Sequence, residues 1–179
     1  PAGFEVMQHA ADLVVELRDA AVIEIDDLIE VELFPRRALP AVVASEGRIV
    51  GISRLAGIAG VPTRTGYAAS KHAMFGFFDS LRIELADRGV SVTVIAPDFV
   101  RSEIHRRAIG PDGRPLGASP MVETRIMSAD ACARIIVEAA LKRRRLVITS
   151  LRGRAMRWLK LIAPSLVDRL AARAIRRRS

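Results

Sequence analysis

From Gly47 onward, short runs of β-branched and apolar residues alternate with longer stretches whose apolar residues recur at helical spacing. A parallel sheet with crossover helices leaves this pattern in a sequence. Arg48–Ser53 predicts the first clear strand. Gly66–Ala86 predicts the strongest helix: Ala73, Phe77, Leu81 and Leu85 lie four apart, and Met74 and Phe78 lie beside them on a broad buried face. Gly89 stands where a C-cap is expected. Val90–Ala96 alternates and is β-branched, so it predicts a second strand, stopped by Pro97. Gly110, Pro111, Gly113, Pro115, Gly117 and Pro120 break any regular structure across 106–120, which reads as a long loop. Loops of that length are often functional. Ser128 caps a helix from Ala129 to Leu141, and Leu146–Thr149 predicts another short strand.

The first 45 residues carry a weaker pattern. Phe4–Leu17 fits a helix, Ala21–Ile25 a short strand, and Asp26 the start of a further helix that Pro35 and Pro40 interrupt. After Gly153, Met156, Leu159, Ile162, Leu166, Leu170 and Ile175 recur at helical spacing, with Pro164 dividing two helices. The chain is thus expected to form an α/β domain over 1–150 followed by a helical extension over 151–179.

A length of 179 residues suits one domain with a sizeable core. Half the residues are hydrophobic and 27% are charged, which excludes a disordered polar chain. No uncharged run approaches the roughly 18 residues of a membrane span. The single cysteine, Cys132, rules out an internal disulfide and a multi-thiolate zinc site, and points to the cytoplasm. The chain opens at Pro1 without a methionine, so it reads as a fragment or a processed product.

The formal charge of +8 conceals an asymmetry. Residues 142–179 hold thirteen Lys and Arg against Asp168 alone, whereas the first 141 residues hold fifteen basic and nineteen acidic residues. One Trp, one Tyr and no zinc-finger or RNA-recognition signature accompany that charge, so nucleic acid is not the expected partner. Arg154, Arg157, Lys160, Arg169 and Arg173 fill the positions between the apolar ones, and Trp158 adds an interfacial aromatic. This composition suits a helix on an anionic membrane surface, with Trp158, Leu159 and Ile162 inserted. It equally suits a subunit-packing or substrate-lid helix with a solvated basic face.

Tyr67 and Lys71 lie four residues apart, so on a helix they project from one face. A phenol is a poor acid-base group near neutrality, and a fixed positive charge beside it favours the phenolate. A bare Y-x-x-x-K more often pairs one core residue with one solvated residue; here the surroundings shift that weighting. His72 and His105 have no carboxylate or thiolate at metal-ligand spacing and read as non-ligands, and Cys132 reads as a small core residue.

Four segments in order, Gly47–Gly57, Gly60–Pro62, Tyr67–Ala73 and Val92–Val100, resemble the sheet, active-site helix and post-strand motif of the classical short-chain dehydrogenase/reductase family. The resemblance covers residues 38 to about 150. It implies a partial Rossmann-type, doubly wound parallel sheet with helices on both faces, and NAD or NADP as cofactor. It also implies hydride transfer between an alcohol and a ketone; the expected partners are a small, lipid-like alcohol or ketone and a second copy of the chain in a homo-oligomer. By that analogy Tyr67 is the general acid-base, and Lys71 assists it and holds the nicotinamide ribose. Pro97, Val100 and Ser102 belong to the stretch that contacts the nicotinamide amide. Asp98 stands there in place of the family's usual glycine, and Asp27 falls where the family carries a helix asparagine.

Two departures accompany the resemblance. The family's serine, about thirteen positions before the tyrosine, is replaced by Arg54, with Ser53 adjacent. Neighbouring strand residues face opposite sides, so Ser53 needs a slip or a bulge to serve, while Arg54 offers a cationic donor in its place. The glycine-rich turn that grips pyrophosphate is absent from these 179 residues; Gly57, Gly60 and Gly66 follow a different strand. Two functions therefore compete: an oxidoreductase using Tyr67, or a catalytically silent truncated homologue acting as a binding or membrane-surface module.

Overall fold

The computed structural model describes residues 20–23, 38–62, 64–101 and 126–176, with side chains for those between 38 and 173. Four parallel strands lie in the order β1 (Ala20–Ile23), β2 (Arg48–Ile52), β3 (Ser91–Ala96), β4 (Leu146–Ile148). Ala20 pairs with Arg48, Arg48 with Ser91, and Val94 with Leu146. Parallel strands need crossovers, and here α1 (Leu39–Ala44), α2 (Thr65–Glu84) and α3 (Ala129–Leu141) supply them. Two helices follow β4: α4 (Leu151–Ile162) and α5 (Pro164–Arg176).

The strand pleat sorts the core into two layers. Ile49, Val92 and Val94 join Val42 of α1 and Met74, Phe78 and Leu81 of α2 on one face. Val50, Ile52 and Ile95 join Cys132, Ile136, Ala139 and Ala140 of α3 on the other. Helices therefore cover both faces, as the doubly wound expectation required.

The strands predicted at 48–53, 90–96 and 146–149 and the helix at 129–141 are present within a residue or two, and Ser128 accepts from the Ala131 amide at 3.2 Å. β1 matches the strand expected at 21–25 over its described part. Pro40 does not interrupt a helix; it lies in the first turn of α1, where its missing N–H costs nothing. The helices expected at 4–17 and from Asp26, the loop at 106–120, and Asp27, Ser102 and His105 lie outside the described residues.

The buried stripe of α2 differs from the expected one. Ala68, Lys71, Met74, Phe78 and Leu81 face the sheet, while Ala73 is exposed and Phe77 half-buried. Gly51 decides the rotation: a Cβ there would lie 2.2 Å from the Phe78 ring, so the strand's missing side chain is the ring's seat. Gly89 ends the following turn with φ +69°, the left-handed conformation expected of a glycine stop.

Candidate active site

The pleat of β2 carries past its last residue and assigns the next two side chains. Ile49 and Gly51 face α2, Val50 and Ile52 face α3, and the Ser53 amide still bonds Ile95 O at 2.8 Å. Ser53 therefore turns toward α2, where its hydroxyl donates to the Lys71 carbonyl at 3.2 Å. Arg54, extended at φ −153° and ψ 169°, turns the other way. Burial pushes the pKa of the Cys132 thiol of α3 up to about 11, and the positive charge of Arg54 opposes that shift.

A tight turn of 3-10 type, Leu55–Gly57, then docks on α2. A Cβ on Gly57 would lie 2.5 Å from the Lys71 carbonyl oxygen. Ser53 and Gly57 thus meet at one backbone group and fix the part of α2 that carries Lys71. Lys71 is only 6% exposed, with Nζ 3.8 Å from Met74 Sδ and 5.9 Å from the centre of the Tyr67 ring. Tyr67, one turn earlier, is 41% exposed. A cation within about 6 Å of an aromatic centre is at the outer limit of direct attraction. The result is an accessible phenol above a buried ammonium.

The segment after β3 completes the carboxyl edge of the sheet. Pro97 and Val100 are buried, and Val100 bridges in parallel to Met127, with the Arg101 amide donating to Met127 O at 2.8 Å. Asp98 is tied twice: its amide donates to Thr149 Oγ1 at 3.0 Å, and Arg152 Nη2 donates to both carboxylate oxygens at 3.1 Å. The carboxylate in the glycine position is thus neutralised by the start of α4.

One connection has no counterpart in the sequence reading. His72 Nδ1 lies 2.8 Å from Ala68 O and Nε2 lies 3.3 Å from Lys160 Nζ, while Lys160 also donates to Ile58 O at 2.8 Å. A carbonyl can only accept, so Nδ1 carries the proton and Nε2 accepts from the ammonium. Lys160, read as part of a solvated basic face, instead points inward and ties α4 to α2 and to the turn after β2. The signal was its phase: Gly153, Met156 and Lys160 share one side of α4, and Gly153 packs so closely that a Cβ would lie 2.5 Å from Leu55.

Tyr67, Lys71, Pro97 and Val100 lie at or beside the carboxyl ends of β2 and β3, where doubly wound sheets take their ligands. The nicotinamide end of a dinucleotide fits residues that are present: a buried ammonium under a phenol and a rigid apolar wall. The pyrophosphate end has no glycine-rich turn anywhere in the sequence.

Comparison with known proteins agrees with this architecture. The family model described as short chain dehydrogenase matches residues 11–110. The rat protein named dehydrogenase/reductase SDR family member 7B is 33% identical over 178 residues, 98% of this chain and 54% of the relative. A 7-like member from Dictyostelium discoideum is 36% identical over 69% of this chain and 38% of its own length. The chain thus spans about half the length of the curated relatives it matches. Among solved structures, a Burkholderia phymatum short chain dehydrogenase/reductase in complex with NAD aligns with a TM-score of 0.62 at 23% identity, covering 78% of this chain and 56% of that one. A Burkholderia cenocepacia short chain dehydrogenase in complex with NADP gives 0.62 at 18% identity, covering 94% and 73%. At these identities the likeness is one of fold.

Proposed function

Since the chain belongs to the short-chain dehydrogenase/reductase family, we propose that it carries the catalytic half of an NAD(P)-dependent oxidoreductase that interconverts an alcohol and a ketone. The observation that carries this reading is the accessible Tyr67 phenol stacked one turn above the buried Lys71 ammonium, at the carboxyl edge of the sheet. When bound, the nicotinamide supplies or accepts the hydride. Tyr67 gives its proton to the ketone oxygen in reduction and takes the alcohol proton in oxidation. Lys71 sets its charge beneath the phenol and takes the role of holding the nicotinamide ribose that the family resemblance implies. Pro97 and Val100 form the wall for the nicotinamide amide, and Ser102 keeps the role implied by the family resemblance.

In the family's register the donor to the reacting oxygen falls on Arg54, which turns toward α3, whereas Ser53 faces α2. Ser53 is engaged with the Lys71 carbonyl and serves as a positioning residue. A small ketone or alcohol, lipid-like in character, is the substrate class, and a reducing cytoplasm suits the buried free thiol.

A second reading is favoured by a specific observation: Arg54, in the register of the family's serine, turns toward the α3 side and away from Tyr67. On that reading the protein is a catalytically silent homologue that retains the fold as a binding module. Titration with NADH and NADPH followed by turnover of ketones separates the two. Turnover that falls by about 10²-fold or more in Tyr67→Phe supports the oxidoreductase. Turnover that survives the substitution overturns the acid-base assignment, and absence of both binding and turnover selects the silent module.

A further inference from the structure

Helix α4 presents its apolar residues to solvent. Leu151 is 77% exposed, Trp158 64%, Leu161 69% and Ile162 79%. At 100° per residue these four lie within about one third of the helix circumference. They lie opposite the side that carries Gly153, Met156 and Lys160. The orientation is fixed from within: Gly153 packs against Leu55 and Ile148, Arg154 Nε donates to Ile148 O at 3.2 Å, and Lys160 reaches Ile58 O and His72. The helix cannot roll to bury this face without breaking those contacts. Four large apolar side chains exposed together on one helix mark a docking surface, whereas scattered ones do not.

We propose that the outward face of α4 docks on an anionic lipid surface. Charge selects the occupant. Exposed Arg157 borders the face and exposed Arg154 lies within it with its Nε turned inward to Ile148 O, and residues 142–179 carry thirteen basic side chains against Asp168 alone. A second copy of the chain meeting this face by two-fold symmetry would set these arginines against their own equivalents, which disfavours self-association. An anionic headgroup layer meets both needs, neutralising the arginines while Trp158, Leu161 and Ile162 enter the acyl boundary. No described helix is long and apolar enough to cross a membrane, so α4 lies along the surface. The face differs from the one read from sequence: Leu159 is half-buried against the protein, and Leu151 and Leu161 take its place.

The proposal is independent of the catalytic reading. Trp158 is the only tryptophan, so emission of the unaltered protein reports on this face alone. The probe is vesicles of equimolar phosphatidylcholine and phosphatidylserine, compared with phosphatidylcholine only. With the anionic vesicles the emission is expected to shift to the blue and to be quenched by acyl-chain-brominated lipid. Binding should weaken without vanishing as salt rises, because screening touches the arginines and leaves the apolar contact. Arg157→Gln is expected to weaken partitioning about five-fold. Leu161→Gln with Ile162→Gln, both solvent-facing, should abolish insertion while circular dichroism stays unchanged. Equal response to neutral vesicles, or no blue shift with anionic ones, overturns the proposal. So does a concentration-dependent blue shift without lipid, which would identify a second copy as the occupant.

Discussion

Helices α2 and α4 are both amphipathic and both lie near the carboxyl edge of the sheet, yet they are held in opposite ways. α2 has no side-chain cap at its start and no acidic residue in its first turn. Its 20 residues are kept in place by Met74, Phe78 and Leu81 pressed on β2 and β3. α4 is capped by Ser150, which accepts from the Gly153 amide at 3.0 Å, and buries only Gly153 fully. Polar clamps at Lys160 and Arg152 do for α4 what apolar burial does for α2. Helical periodicity therefore announces a helix but not which side packs; close contacts at single residues, Gly51 under α2 and Gly153 in α4, make that choice.

The contrast is broken most sharply by truncating one large side chain on each helix. Phe78→Ala removes a fully buried ring and should cost about 3–5 kcal/mol in urea unfolding. Trp158→Ala, of similar bulk, should stay within about 0.5 kcal/mol. Equal losses would mean that α4 packs as α2 does. Gly51→Ala comes next, with an expected cost of about 1–3 kcal/mol from overpacking against Phe78. Adding Phe78→Leu should recover part of that loss; no recovery would place the strain elsewhere.

Lys160→Met tests the polar clamp. It leaves His72 Nε2 and Ile58 O without their partner, at about 1–3 kcal/mol. Amide exchange should accelerate across 151–162 while Met74–Leu81 stays protected. Acceleration spread evenly over both helices would show that the clamp holds the whole fold. The smallest effect is expected at Cys132. Burial raises its pKa to about 11, so its thiol stays protonated and unreactive at neutral pH. Iodoacetamide should label it only after denaturant unfolds the chain, and rapid labelling of the native protein would contradict the buried α3 layer.

The strands and α3 were legible because each has a local signature: alternation with a proline stop at 90–97, and a serine cap at 128. Tyr67 and Lys71 were legible as a pair because helical spacing alone puts them together. That Ser53 and Arg54 face opposite sides followed from the pleat; that Ser53 faces α2 with the β2–β3 register unbroken, without the slip or bulge expected, did not. The exact stripe of α2 was not, since Ala73 and Phe77 are as apolar as Met74 and Phe78, and only the gap at Gly51 in another element distinguishes them. Lys160 was misread, and Arg152 passed over, for a related reason. A long cation on an amphipathic helix reads as solvated, and its partners Ile58, His72 and Asp98 lie 54 to 102 positions away in sequence.

That separation bears on how the protein is made. Lys160 leaves the ribosome 102 residues after Ile58, and at about 5–20 residues per second the interval is roughly 5–20 s. Once β3 has been made, the helix bearing Tyr67 and Lys71 can lie on β2 and β3 while Ile58 O and the Asp98 carboxylate are still unclasped. The edge that carries the candidate site is thus fastened after the strands are made, by Arg152 and then Lys160. A chain ending at Thr149 would keep strands β1–β4 while leaving Asp98, Ile58 and His72 without these clamps.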